Sequence, residues 1–300
     1  PRARASHVAR AARRSSFKAD LPSSEEELLS QVQTSVQAAL SDGKSLLEVE
    51  FPLTSGLGVG TGDCIAISEY NANQQVLRRF AALWEWLGVA DTVRVFFPDA
   101  SECSIALNGA GRNPVSGQWE QDPTFHDWPG SVDYLLRDDL LSQQSRKAYG
   151  LTELEEGLVG KACVEETAEV EDRLYIIGYP YDNTDELVAV MKLWEAHARP
   201  TVIFNGNLDG VRTGFFPFGD GRRLKREFVP AVETAYYLHL FSAGVPGALV
   251  RAYPGPYRVL RATEGGGLEC VREYDERPAL RDVALEYFSG GLTTAAVAVA

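Results

Sequence analysis

Four glycines at two-residue spacing, Gly56, Gly58, Gly60 and Gly62, are the first residues whose pattern suggests chemistry. They follow an apolar run read as a strand and precede a helical pattern, where bare backbone amides can meet an anion. The spacing is not that of a dinucleotide fingerprint, which needs a third glycine three positions after the second, and about ten residues separate Gly62 from the helix. A flexible loop and a ligand loop built on Gly58, Gly60 and Gly62 both account for it. Gly43-Lys44-Ser45 looks like the end of a phosphate-binding loop. However, Ala38 stands where that pattern needs glycine, and here a helix precedes a strand, so the motif is set aside.

A second group rests on position. Leu174 to Tyr179 reads as a strand, Thr184 to His197 as a helix and Thr201 to Phe204 as a strand, a βαβ crossover that requires parallel strands. Ligands of open α/β sheets sit beyond the carboxyl ends of such strands. Asp182, Asn183, Asn205 and Asn207 are therefore expected to meet at one rim, as ligand-binding residues or as plain caps of turns and helices.

Other reactive side chains form no recognisable site. His126, His197 and His239 fall in no metal-binding spacing, and no G-x-S-x-G elbow occurs. Cys64, Cys103, Cys163 and Cys270 are 39, 60 and 107 residues apart, too far for a C-x-x-C pair, which favours buried thiols in a reducing compartment. Glu165, Glu166, Glu169, Glu171 and Asp172 read as a solvated acidic face. No catalytic residue, metal or cofactor is assigned.

The composition excludes some classes of function. A net charge of -13 and a pI near 4.9 lack the basic footprint of a phosphate-backbone binder, so nucleic acid is not expected as a partner. No stretch reaches the roughly 18 consecutive apolar residues of a membrane-spanning helix. The first nineteen residues differ from the rest: Arg2, Arg4, Arg10, Arg13, Arg14 and Lys18 lie among Ser and Ala, with no acid before Asp20. That is the composition of an organellar transit peptide or of a flexible basic arm. Without it, 23 basic residues face 42 acidic ones, a charge of -19. Met191 is the only methionine, as in a chain that begins after processing or truncation.

Ser24 with Glu27 is a capping box that opens a helix to Ser41, and Leu46 to Phe51 follows as a strand. A second helix is expected from Asn71 or Asn73 to Leu87, then a strand over Val93 to Phe97. Asp99 to Gly130 reads as a long irregular insertion with a short hairpin, and Trp128 to Leu141 as a helix. Leu224 to Phe241 has helical spacing, which places His239 inside an apolar helix. Ala248 to Tyr253, Tyr257 to Thr263 and Leu268 to Tyr274 read as antiparallel strands, and Ala279 to Phe288 as a closing helix. The expectation is one α/β domain over residues 20–288, between the basic arm (1–19) and a flexible tail (289–300). Its mixed, mostly parallel sheet is flanked by helices and ends in antiparallel C-terminal strands.

Laid in this order, the segments resemble the plastid and cyanobacterial family of uncharacterised domains that includes the Low Photosystem II Accumulation 3 factor. The likeness is carried by L-P-x-S-x-E-E from Leu21, by Ala39-Leu40-x-Asp42-Gly43, and by Ile203-Phe204-Asn205 with Leu208 after Arg199-Pro200. It extends to the run Gly247 to Pro254 with Tyr257 shortly after, and spans roughly Leu21 to Pro278. Gly206 departs from it, since family members usually have proline there. The resemblance implies an α/β protein of the chloroplast stroma or thylakoid periphery without established catalytic residues, some relatives assisting photosystem II assembly. A non-catalytic accessory protein that binds a protein partner is the expected function. Trp119, Trp128, Phe215, Phe216, Phe218, Tyr253 and Tyr257, all in or beside loops, are its candidate contact residues. The alternative is an enzyme binding a small molecule or nucleotide phosphate through the Gly56 to Gly62 loop and the rim.

Overall fold

Apolar segments too short to bury themselves alternate along the chain with amphipathic ones, and the result is a layered α/β arrangement. The computed structural model describes residues 21–52, 65–111, 117, 121–136, 169, 171–180, 184–242, 244–263 and 267–289, with side chains from residue 72 onward in the helix that begins at Ile65. Among the described residues, nine strands form one mixed sheet in the order β3-β2-β4-β5-β1-β6-β7-β8-β9. They are β1 (Leu46–Glu50), β2 (Val93–Phe97), β3 (Ser131–Tyr134), β4 (Leu174–Gly178), β5 (Thr201–Phe204), β6 (Glu233–Phe241), β7 (Gly247–Ala252), β8 (Tyr257–Ala262) and β9 (Leu268–Tyr274). The α/β class and the antiparallel C-terminal strands are as expected from the sequence. The described residues divide between two compact units, one of Ser45–Leu47 with Cys64–Glu233, the other taking the rest.

In the first unit β2 pairs in parallel with β3 and β4, and β4 with β5. The crossover between β4 and β5 is helix α4 (Thr184–His197). Its Leu187, Val190 and Met191 share one core cluster with Phe96, Tyr175, Ile177 and Ile203. Helix α2 (Ile65–Trp86) covers the opposite face: Leu77 lies over Gly178, and the Phe80 ring is 5.2 Å from Phe204. β2, β4 and β5 are buried along their whole length, which is why they read as mostly apolar runs.

Three expectations for this unit are corrected. The segment expected to be an irregular insertion contains helix α3 (Ala100–Asn108). Asp99 caps it by accepting from the amides of Ser101 and Glu102, and Gly109 at φ 71° ends it. The helix expected from Trp128 begins instead as the edge strand β3, whose four mixed residues carry no periodicity; residues 137–141 lie outside the described set. In addition, α2 starts at Ile65, earlier than its expected caps, so Asn73 is a buried residue within the helix.

A fourth correction lies further along the chain. The helix expected over Leu224 to Phe241 ends at Ala231, and its second half is β6. Helix α6 runs as Gly219–Arg223, a π-turn over Leu224–Phe228, and Val229–Ala231. Pro230 cannot donate to the carbonyl four residues back, and the Val229 amide reaches the Leu224 carbonyl, five back. Both alternating sets of β6 carry large apolar side chains, Tyr237 and Phe241 in one and Tyr236, Leu238 and Leu240 in the other, so strand and helix spacing look alike. His239 therefore lies on a strand, its ring 4.8 Å from Phe241.

In the second unit β6 to β9 form an antiparallel meander. Helix α1 (Glu25–Ser41) packs on β7, and Gln31 of α1 accepts from the Tyr236 hydroxyl at 3.1 Å. A closing helix α7 (Leu280–Val283, continued by a π-turn over Ala284–Phe288) brings Val283 and Phe288 into a cluster with Tyr237, Leu249, Tyr257 and Val259. Gly247 must be glycine here, because a Cβ would overlap the Leu260 carbonyl and the Phe288 ring.

Candidate functional site

The site with most polar convergence among the described residues lies at the carboxyl ends of β2, β4 and β5. From β2 the chain continues through α3 to β3 on one side, whereas from β4 it continues through α4 to β5 on the other. The strand order reverses between β2 and β4, which makes that edge the topological switch point of the parallel strands.

Glu102 of α3 stands at this point. Its Oε2 accepts from the Tyr179 hydroxyl and from Gln74 Nε2, both at 3.1 Å, and Gln74 also donates to the Glu102 carbonyl at 3.3 Å. Thr124 Oγ1 donates to Gln74 Oε1 at 3.4 Å. Tyr179 is buried, its ring 6.0 Å from Phe97, at a φ of 36° that a bulky residue rarely adopts. At the next strand end Asn205, also in the left-handed region at φ 51°, is buried and donates Nδ2 to Asn73 Oδ1 at 3.2 Å. Left-handed residues at two adjacent strand ends cost roughly 1–3 kcal/mol each and need support from their surroundings. Here the support is hydrogen bonding of α2 and α3 to the strand ends. The arrangement can orient a carboxylate and brace a sheet edge.

The expected rim is therefore met in part. Asn205 is at the edge but turned inward to Asn73, while Asn207 is exposed at φ 47° and opens helix α5 (Leu208–Thr213). Gly58, Gly60, Gly62, Asp182, Asn183 and Trp119 lie outside the described residues. The sequence places Tyr179 at this rim only as the last residue of its strand, and it does not point to Glu102 or Gln74. The only signal in the sequence was Asp99 followed by an apolar-polar alternation that suits a capped helix.

Among the aromatic candidates, Trp128 is buried and donates Nε1 to the Val93 carbonyl. Tyr253 and Tyr257 are also buried: Tyr253 donates to Asp42 at 2.9 Å, and Arg251 sits 4.9 Å over the Tyr257 ring. Phe216 is half-buried against the α4 core. Phe215 and Phe218 are 88% and 83% exposed. A third exposed aromatic, Trp86, ends helix α2; it is 81% exposed, with Leu87 at 45% and Val89 at 43% beside it.

At the opposite ends of the same strands the acidic stretch is only partly a solvated face. Asp172 is buried and paired with Arg94 of β2 at 2.7 Å, with Glu169 at 3.0 Å and Asp133 at 3.5 Å from the same guanidinium. Burial opposes the Arg94 charge, yet the hydrogen bonds it donates to Asp172 and Glu169, with their negative charges, outweigh burial and raise its pKa. Arg199 donates to the carbonyls of Glu169 and Asp172 beside Tyr175, whose phenol is pushed up chiefly by burial. This cluster ties β2 to the segment entering β4. Among the described residues no group of three or more His, Cys, Asp or Glu side chains could hold a metal ion, and no helix is long and apolar enough to cross a membrane.

A protein-family model described as Domain of unknown function (DUF1995) matches residues 22–285. No curated protein and no solved structure matches the chain.

Proposed function

The chain belongs to the DUF1995 family, and from that premise we propose that it is a plastid accessory protein that acts by binding another protein, without chemistry of its own, in assembly or maintenance of the photosynthetic apparatus. The observation that carries this reading is Trp86. Its neighbour Trp84 is buried edge-on against Phe80 at 5.1 Å, while the amides of Leu87, Gly88 and Val89 close the helix end on Leu83, Glu85 and Trp84. A large aromatic ring is thus presented from a rigid support, flanked by Leu87 and Val89, at little further cost in side-chain entropy. Trp is the residue most enriched at interface hot spots. The basic, acid-poor first nineteen residues support the plastid address. At the rim, Gln74 and Tyr179 both donate to Glu102, which suits a brace.

Recovery from plastid extract tests the proposal. The wild-type chain should retain a stoichiometric protein partner, and Trp86→Ser, removing an exposed side chain, should lose it while melting at the same temperature. Equal recovery by both chains would count against it. The switch point at Glu102 and Tyr179 favours a second reading, a small-molecule site at the strand ends. Stabilisation of the chain by nucleotides or sugar phosphates, abolished in Glu102→Gln, would favour that reading instead.

A further inference from the structure

We propose that the loop between α5 and α6 is a membrane-surface anchor: Phe215 and Phe218 enter the interface of an anionic bilayer, and Arg222 and Arg226 hold the lipid phosphates behind them. The loop is built to project. Phe216 turns inward, its ring beside Gly214 and Gly221 and against the core that contains Leu224 and Phe228. Lys225 Nζ donates to the Gly214 carbonyl at 2.6 Å and fastens the base of the loop. With the middle phenylalanine anchored, its neighbours Phe215 and Phe218 point outward around exposed Pro217.

The charges follow in a fixed order. Phe218 is the N-cap of α6, and the Arg222 amide lies 3.4 Å from its carbonyl, so Arg222 stands one turn behind Phe218 and Arg226 about one turn behind Arg222. Both arginines are exposed and neither forms an ion pair among the described residues. The nearby acids are engaged elsewhere: Asp220 with Lys192 and Arg223, and Glu195 and Glu227 with Arg223. Residues 212–227 hold five basic and two acidic side chains in a chain of net charge -13.

The occupant follows from that order. An apolar tip with cations one and two turns behind it, at ~5 Å per turn, matches the depth profile of a bilayer surface, where acyl carbon lies beneath phosphate. A protein partner would have to offer a cleft for two convex rings with acids at its mouth, whereas a lipid surface yields to a convex tip and supplies the anions. The basic patch acts locally, since the acids elsewhere are screened beyond about 10 Å at ordinary salt.

Co-sedimentation of the full chain with vesicles tests the anchor. The chain should pellet with phosphatidylcholine vesicles containing phosphatidylglycerol, weakly with phosphatidylcholine alone, and less as salt is raised. Arg222→Gln with Arg226→Gln should weaken binding about thirtyfold, at the ~1 kcal/mol expected per basic residue near the surface. Phe215→Ser and Phe218→Ser should each weaken it about tenfold or more. Phe218→Trp provides a second measurement, in which the added fluorescence should shift to the blue with the anionic vesicles. Trp86→Ser should leave all of this unchanged, so failure of the anchor and failure of the Trp86 reading are distinguishable. Absence of binding to phosphatidylglycerol vesicles, equal binding by wild type and variants, or an unshifted Phe218→Trp spectrum would overturn the anchor, and so would binding of a partner protein through these residues without vesicle binding.

Discussion

The Glu48 carboxylate, buried in β1, meets the Arg277 guanidinium at 2.8 Å across a sequence separation of 229 residues. Thr234 of β6 donates to the same carboxylate oxygen at 2.8 Å, and Arg277 also lies 3.9 Å over the Tyr237 ring. The pair ties the segment that leads into α7 to the second unit. Arg277→Met removes this counter-charge from a buried carboxylate and should cost roughly 3–5 kcal/mol in denaturant unfolding. Adding Glu48→Leu to that variant should restore much of the loss, and a double-mutant cycle measures the coupling. Additive losses would show that the two residues act independently.

Gly214 is set by packing and not by its backbone angles, since its φ is -64°. A Cβ there would lie 2.5 Å from the Phe216 ring and 2.8 Å from the Gly210 carbonyl. Gly214→Ala should therefore destabilise by about 1–3 kcal/mol, and Phe216→Ala in the same chain should relieve part of that loss. An unchanged urea midpoint for Gly214→Ala would contradict the described loop.

The first turn of α1 supplies a pH signature. Ser24 Oγ accepts from the Glu27 amide as a capping box requires, but the Glu27 carboxylate accepts from the hydroxyl and the amide of Ser23, at 2.6 and 2.8 Å. The Ser23 hydroxyl bond is the larger cause and the Ser23 amide the second; together they hold Glu27 below the ordinary value of 4.5. A depressed folded pKa contributes stability above the unfolded value that is lost as pH falls through the folded one. Wild type should therefore exceed Glu27→Gln in urea midpoint at neutral pH and converge on it in acid below that range. A gap that does not change with pH would contradict this.

Asn205 separates backbone from side-chain effects. Ala at its left-handed φ costs about 1–2 kcal/mol that Gly does not incur, while both lose the bond to Asn73. Asn205→Ala should unfold at lower denaturant than Asn205→Gly, and the reverse order would contradict the described edge.

What could be read in advance follows the physics of each segment. The β4-α4-β5 unit and the cap of α1 were legible because strand burial on both faces and a Ser24/Glu27 start leave patterns within a few residues. Strand β6 was not, because its two sets of alternating residues are both apolar and Pro230 sits near the end of the preceding helix. α3 was obscured by the glycines, prolines and asparagines that follow it. At the candidate site Asn205 was foreseen by its place after a strand, whereas Glu102 and Gln74 depend on two helices meeting over one sheet edge. Trp86 and the buried Tyr253 and Tyr257 show a further limit: their exposure is decided by tertiary contacts and not by neighbouring residues.

The proposed contact of Trp86 with a protein can be captured covalently. Photo-crosslinking from position 86 in intact chloroplasts, followed by mass spectrometry, reads it most directly. A discrete protein adduct should form from position 86 and be absent when the same crosslinker stands at exposed Glu26. No adduct above that control, or adducts to small metabolites alone, would contradict it.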